Sequence, residues 1–310
     1  MRMRKIYLLF VFCVGMWPAT WAQTPNDALM MSKHQLCILG QYQHSSWDEY
    51  WEGEHKRSNS NLGTVTNQST LLMGNYGITD RLNVLLGLPY VWTGSDSYLQ
   101  GESGIQDLSL FLKYQVLEKS ALGGKFKVQA TGGLSTPITN YAPDFQPFSI
   151  GIQSRTASLR AILNYTANFG LYVTAQGGHT WRANADINRN AYLFENELYY
   201  GSTVPVPNVF DASARLGFIR TRLQTEFWLE RSTGLSGDDI RYNDAPFLTN
   251  KMQWTAAGWF GKYFVTKQLG VQVSYSQVLD GRNVGQGTTY AGGITYFFSV
   301  GKKGTAEPPK

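Results

Sequence analysis

Residues 107–116 read DLSLFLKYQV. Leu108, Leu110, Leu112, Tyr114 and Val116 are apolar, and Asp107, Ser109, Phe111, Lys113 and Gln115 alternate with them. Successive side chains on a strand point to opposite faces, so this stretch makes a strand with one greasy face and one largely polar face. The same rhythm precedes it at Leu82, Val84, Leu86, Leu88, Tyr90 and Trp92. It follows at Phe126, Val128, Ala130 and Leu134, opposite Lys125, Lys127, Gln129 and Thr131. It returns where Arg160 alternates with apolar neighbours, and again at Phe210–Phe218, where Asp211, Ser213 and Arg215 hold the polar face.

Twelve such segments are expected, at roughly 34–44, 64–76, 82–93, 104–117, 125–137, 156–166, 169–182, 208–220, 222–232, 250–263, 269–279 and 288–298. The second has the weakest apolar face, because Thr66, Gln68 and Thr70 fall on it. Connections alternate between short ones, such as Glu118–Gly124 and Thr166–Asn168, and long ones, such as 138–155 and 183–207. Short turns at one end and long loops at the other fit an outer-membrane barrel, with an even strand count placing both termini on the periplasmic side. Lipid offers no partner to a free strand edge, so a sheet in a membrane must close on itself. The expected fold is therefore all-β, a transmembrane antiparallel up-and-down barrel of about 12 strands. Tyr90, Trp92, Tyr114, Tyr165, Trp181 and Tyr296 lie near segment ends, as interfacial girdles require.

Composition supports this class by exclusion. Of 310 residues only 16% are charged and 14% are aromatic, the reverse of a disordered chain. The only long apolar run, Ile6–Trp17, is shorter than the ~20 residues a membrane helix needs. It follows Arg2, Arg4 and Lys5 and precedes Thr20-Trp21-Ala22, so residues 1–22 read as a signal peptide cleaved after Ala22. Removing it takes three of the formal charges behind the net +5, and no basic stripe suited to nucleic acid remains. Of 2 cysteines, Cys13 falls in the signal, and a lone Cys37 cannot make an internal disulfide. The expected organisation is a signal at 1–22, a short periplasmic segment at 23–33, the barrel at 34–298 and a periplasmic tail at 299–310.

Residues 76–90, YGITDRLNVLLGLPY, form a hairpin turn running into an outward-apolar strand, and residues 104–114, GIQDLSLFLKY, lead into the next. Together they resemble the outer-membrane barrel family labelled meta-pathway phenol degradation proteins, grouped with fatty-acid-transporter-like barrels. The resemblance implies uptake of small, often hydrophobic or aromatic compounds, and it carries over no binding residue. Fatty-acid transporters have a folded plug. Here the segment before the first strand is too short for a comparable hatch, so a gate is expected from inward side chains or from a long loop.

The lumen is expected to carry Asp107, Lys113, Arg160, Arg215, Arg222, Glu226, Glu230 and Lys251, with Phe111, Tyr172, Trp228 and Trp259 as inward aromatics. An excess of basic over acidic positions suggests a mildly anion-favouring pore. Arg215 and Glu226 flank the turn near Arg220–Thr221 and are expected to pair across it. Lys125 and Lys127 are expected at a solvated rim. No metal-ligand spacing or phosphate-binding glycine loop occurs, and His44 beside Ser45 and Ser46 is an unspecific adjacency. The expectation is a non-enzymatic passive channel or transporter for a small organic solute, without cofactor. Its partners would be outer-membrane lipids and the barrel-assembly machinery, not nucleic acid. The alternative is a plugged barrel with a structural or adhesive role, acting through its loops.

Overall fold

The structure is a computed structural model that describes residues 24–195, 197–242 and 244–300. The expected signal peptide at 1–22 and nearly all of the expected tail at 299–310 lie outside the described residues. Twelve long strands build one sheet: β1 (Gln35–Trp47), β2 (Val65–Thr79), β3 (Leu82–Ser95), β4 (Asp107–Ala121), β5 (Gly124–Pro137) and β6 (Thr156–Ala167). They continue with β7 (Leu171–Arg182), β8 (Val209–Arg220), β9 (Leu223–Gly234), β10 (Gln253–Phe264), β11 (Leu269–Arg282) and β12 (Thr288–Ser299). Each strand pairs antiparallel with the next. β12 then pairs with β1, from Gln35 opposite Ser299 to Ser46 opposite Thr288, and the sheet closes.

Closure leaves no strand edge, and the alternation then sorts the side chains. Leu110, Leu112, Tyr114 and Val116 of β4 are all exposed on the outer wall, with Leu112 at 52%. Their neighbours Lys113 and Gln115 are buried in the lumen. The exposed apolar side chains of the other strands, among them Leu86, Leu163, Leu216, Phe227 and Ile294, extend this face around the cylinder. That is the surface a bilayer solvates and water does not. The weakly apolar face of β2 has a local reason: outward Gln68 accepts a hydrogen bond from Tyr42 at 2.7 Å, so polar residues sit where an aromatic side chain satisfies them.

Turns at one end are tight. Leu122 and Gly123 join β4 to β5 with φ of 51° and 70°, the left-handed pair that a two-residue hairpin needs. The opposite end carries long loops with structure of their own. A hairpin pairs Ala191–Phe194 with Glu197–Tyr200, and a small core of Ala185, Ile187, Val204, Val206 and Leu248 sits beneath it. Buried Asn283 ties three loops together: its Oδ1 accepts from Gly53 N at 2.8 Å and Ile240 N at 3.0 Å, and its Nδ2 donates to Asp239 Oδ1 and Lys251 O, each at 2.9 Å.

Arg282 donates to both carboxylate oxygens of Asp239, at 2.7 and 2.6 Å, and this holds the Asp239 carboxyl below its ordinary value of 3.8. A lowered carboxyl adds stability that is present above the ordinary value and is lost as pH falls through the lowered one. Protease sensitivity of the loops should therefore stay flat from neutral pH down to about 4 and rise only below it, with the barrel intact. Loops that loosen between pH 7 and 5 would contradict this.

Candidate functional site

The lumen wall has two halves. On β4–β9 the inward positions hold Lys113, Lys127, Gln129, Arg160, Asn164, Tyr172, Asp211, Arg215, Glu226 and Glu230. On the remaining strands Lys262 is the inward charge, amides such as Asn75, Asn83 and Gln272 are buried there, and Leu39, Met73 and Leu85 pack together with Leu71 and with Phe111 of β4.

Glycines in the middle strand let charged groups bond two strands apart. Arg160, Gly178 and Asp211 share one row across β6, β7 and β8. With no side chain at Gly178, the Arg160 guanidinium crosses it and reaches Asp211 at 2.5 Å. Tyr172, Gly217 and Glu226 repeat the device one strand on. Tyr172 lies over Gly217 and donates its hydroxyl to Glu226 Oε2 at 2.6 Å. Arg215 Nη1 reaches Glu226 Oε1, also at 2.6 Å. The anticipated Arg215–Glu226 pair exists, but diagonally: Arg215 faces Trp228 across the ladder and Gly217 faces Glu226. Glu230 adds its field to both arginines.

These glycines differ in tolerance. A Cβ on Gly217 would meet the Tyr172 ring and the Thr225 carbonyl, whereas one on Gly178 would meet only the Arg160 side chain, at 3.2 Å. Gly217→Ala should cost about 1–3 kcal/mol by overpacking and Gly178→Ala well under 1 kcal/mol, measured by denaturant unfolding of the refolded barrel.

The segment Thr24–Lys33 fills the lumen at the short-turn end. Lys113 Nζ, with its side chain 0% exposed, donates to Asp27 Oδ1 at 2.8 Å, to Thr24 O at 3.1 Å and to Asp27 O. Gln129 Nε2 donates to Ala28 O at 3.1 Å and Thr131 Oγ1 to Pro25 O at 3.3 Å. Met31 packs with Cys37, Phe264 and Phe297. At the segment's root, Gly77 has no side chain because the Ser32 carbonyl occupies that position. The segment is no folded hatch, as expected from its length, but the expectation that a gate would come from inward side chains or a long loop alone is corrected, because the segment itself occupies the lumen. Ten residues in extended form reach about 33 Å, enough to cross a lumen even where they cannot fold into a domain.

From the other end the loop 138–155 leans inward. Tyr141 donates to Asp107 Oδ1 at 2.8 Å and accepts from Gln153 N at 2.9 Å. Ile150 and Tyr141 pack on inward Val91. Thr93 Oγ1 donates to Phe148 O at 2.5 Å. A chamber of about 250 Å³ lies in the lumen, lined by Pro25 and Asn26 of the segment and by Phe111, Ser158, Arg160 and Thr180. A space of only about 30 Å³ lies between Asp27, Leu29, Lys127, Arg215 and Glu226.

Of the anticipated lumen residues, Asp107, Phe111, Lys113, Arg160, Tyr172, Arg215, Glu226, Trp228 and Glu230 do face inward. Two do not. Trp259 lies opposite outward Phe227, covers Gly261 and donates to Thr225 Oγ1 at 2.8 Å, all on the lipid side. Lys251 precedes β10, in the loop, where its backbone bonds to Asp238 and Asn283. Arg222 sits exposed in the β8–β9 turn. Without Lys251 and Arg222, the expected basic excess is offset: Lys113 meets Asp27, Lys125 and Lys127 meet Glu118, and the two arginines meet Asp211 and Glu226. Lys127 is accordingly no open rim cation, its side chain being only 17% exposed. His44 and Ser46 point outward, while Ser45 points inward and bonds to Thr289 Oγ1 at 3.0 Å. Asp27, Glu118, Tyr141 and Lys262 were not singled out from sequence, yet all four take part in the lumen or its mouth.

No protein-family model matches the chain, and no curated protein matches its sequence. Solved structures do match. An outer membrane channel from Pseudomonas putida F1 superposes with a TM-score of 0.72 at 19% identity, over 89% of this chain and 100% of that one. The chain shares the fold of that protein, a closed twelve-stranded antiparallel barrel of the outer-membrane type. Looser likenesses are the NanC porin, with a TM-score of 0.49 at 10% identity over 84% of this chain and 98% of that one, and the TodX monoaromatic hydrocarbon channel mutant, with 0.45 at 10% over 86% and 91%.

Proposed function

We propose that this protein is an outer-membrane channel that admits a small organic solute by passive diffusion, with both termini and the short turns on the periplasmic side. The observation that carries the proposal is a closed barrel with a lipid-suited outer face and a lumen chamber of about 250 Å³ walled by hydroxyls, the Phe111 ring and the Arg160 side chain. Such a chamber gives a small solute both polar partners and apolar contact. Export would end with cleavage after Ala22, and the partners are outer-membrane lipids, the assembly machinery and the solute. The likeness to a channel of the same fold supports this, and so does the resemblance of residues 76–90 and 104–114 to the meta-pathway phenol degradation barrels, which favours a hydrophobic or aromatic solute. Paired lumen charges favour weak ion selectivity and a transport role without catalysis.

A second reading, a plugged barrel acting through its loops, is favoured by the segment and loop that enter the lumen from opposite ends. Single-channel recording in planar bilayers separates the two. The channel reading expects discrete openings with little preference between small cations and anions. A correctly folded barrel that stays silent at all voltages would favour the plugged reading.

A further inference from the structure

The segment Thr24–Lys33 is held by side chains rather than by a strand ladder. In the lumen the Asp27 carboxylate and four backbone carbonyls accept from Lys113, Gln129 and Thr131 on β4 and β5, and at the root Lys33 N donates to Asp80 Oδ1 at 3.0 Å. Among the described residues, every hydrogen bond of Lys113 Nζ goes to this segment. Withdrawing the segment would therefore release Lys113 and Asp27 into pore water together. That trades a buried ion pair for two hydrated ions, an exchange that is often near balance. The root is suited to movement: His34 has a φ of 62°, and the chain passes Gly77 with no side chain between.

Near Met31 lies a buried amine with no hydrogen-bond partner among the described residues. Lys262 is 1% exposed, and its Nζ stands 4.9 Å from the centre of the Phe264 ring and 5.6 Å from that of Phe297. These are the rings against which Met31 packs. Cation–π contact compensates a buried ammonium only in part. An amine framed by two phenyl rings suits a ligand with a carboxylate and an aryl group, because the amine supplies a charge-assisted hydrogen bond and the rings supply aromatic contact.

We propose that Thr24–Lys33 is a removable stopper, and that Lys262 with Phe264 and Phe297 is the position in the open pore that takes an aromatic carboxylate. This rests on the channel reading and names a solute class for it.

Planar-bilayer recordings of the full chain test both parts. Asp27→Ala removes the carboxylate of the latch, and Gly77→Ala displaces the root independently. Each should raise the open fraction by about tenfold over the wild type, since each leaves a buried group badly placed in the closed state. A bismaleimide cross-link between Ala28→Cys and Gln129→Cys, in a Cys37→Ala background, should hold the pore shut. Millimolar benzoate should reduce current through the Asp27→Ala pore, acetate should do so far less, and Lys262→Met should abolish the benzoate effect. A cross-linked pore that conducts like the wild type would overturn the stopper while leaving the channel standing. Benzoate block that is absent, or that survives Lys262→Met, would overturn the binding position. Folded barrels silent in every variant would instead defeat the channel reading on which both rest.

Discussion

Arg215→Met should lower the stability of the folded barrel by about 3–5 kcal/mol, the cost of leaving a buried carboxylate without its cation. The Arg215 side chain is 14% exposed and that of Glu226 is 6% exposed, so bulk water screens the pair little. After the change Glu226 would keep the Tyr172 hydroxyl but no positive partner at bonding distance, because Arg160 is engaged with Asp211. The double variant Arg215→Met, Glu226→Gln should recover most of the loss, since a neutral amide can still accept from Tyr172. Urea unfolding of the refolded protein in lipid, followed by tryptophan fluorescence, measures both. A single variant that costs less than about 1 kcal/mol would mean a water-screened pair and a wet lumen at that level.

The second large effect lies on the outer wall. Leu216 is 52% exposed near the middle of β8, flanked by outward Val173 and Phe227. An arginine there would face hydrocarbon, and Leu216→Arg should destabilise the barrel by about 2–4 kcal/mol. Gln43→Arg, on the lumen side of β1 between Ser69 and Ala291, should cost under 1 kcal/mol because its charge stays in water. Comparing the pair in one lipid isolates the face from the residue type. Equal costs would mean that the two sides of the wall see the same solvent.

Much of this was legible in sequence because one face of each strand is lipid-bound and the register of a strand fixes every other side chain. DLSLFLKYQV gives its faces outright, and the strand carrying Arg215 points to a partner at Glu226 across a short turn. β10 resists the same treatment. Trp254, Trp259, Phe260 and Tyr263 are apolar on both parities and glycines separate them, so alternation carries no phase. Lys262 is the one charged residue on that strand, and its parity marks the inward face that Trp259 does not share. Lys251 was drawn into the lumen because β10 begins at Gln253, after a loop whose backbone is fixed by Asn283. The lumen segment was missed for a different reason. Nothing local distinguishes Thr24–Lys33 from a tail, since its order comes from Lys113, Gln129 and Thr131, about a hundred residues away in the chain.

Accessibility along β8 tests the central claim, that one face of a closed wall meets lipid and the other meets the lumen. Single cysteines at positions from Phe210 to Phe218, in a Cys37→Ala background and reconstituted in bilayers, would each carry a fluorophore. Its quenching by a lipid-confined and by a water-soluble agent would then be compared. A period of two is expected, with lipid quenching at 210, 212, 214, 216 and 218 and protection from lipid at 211, 213, 215 and 217. Water-soluble quenching of both faces, or lipid quenching of both, would contradict a closed membrane barrel.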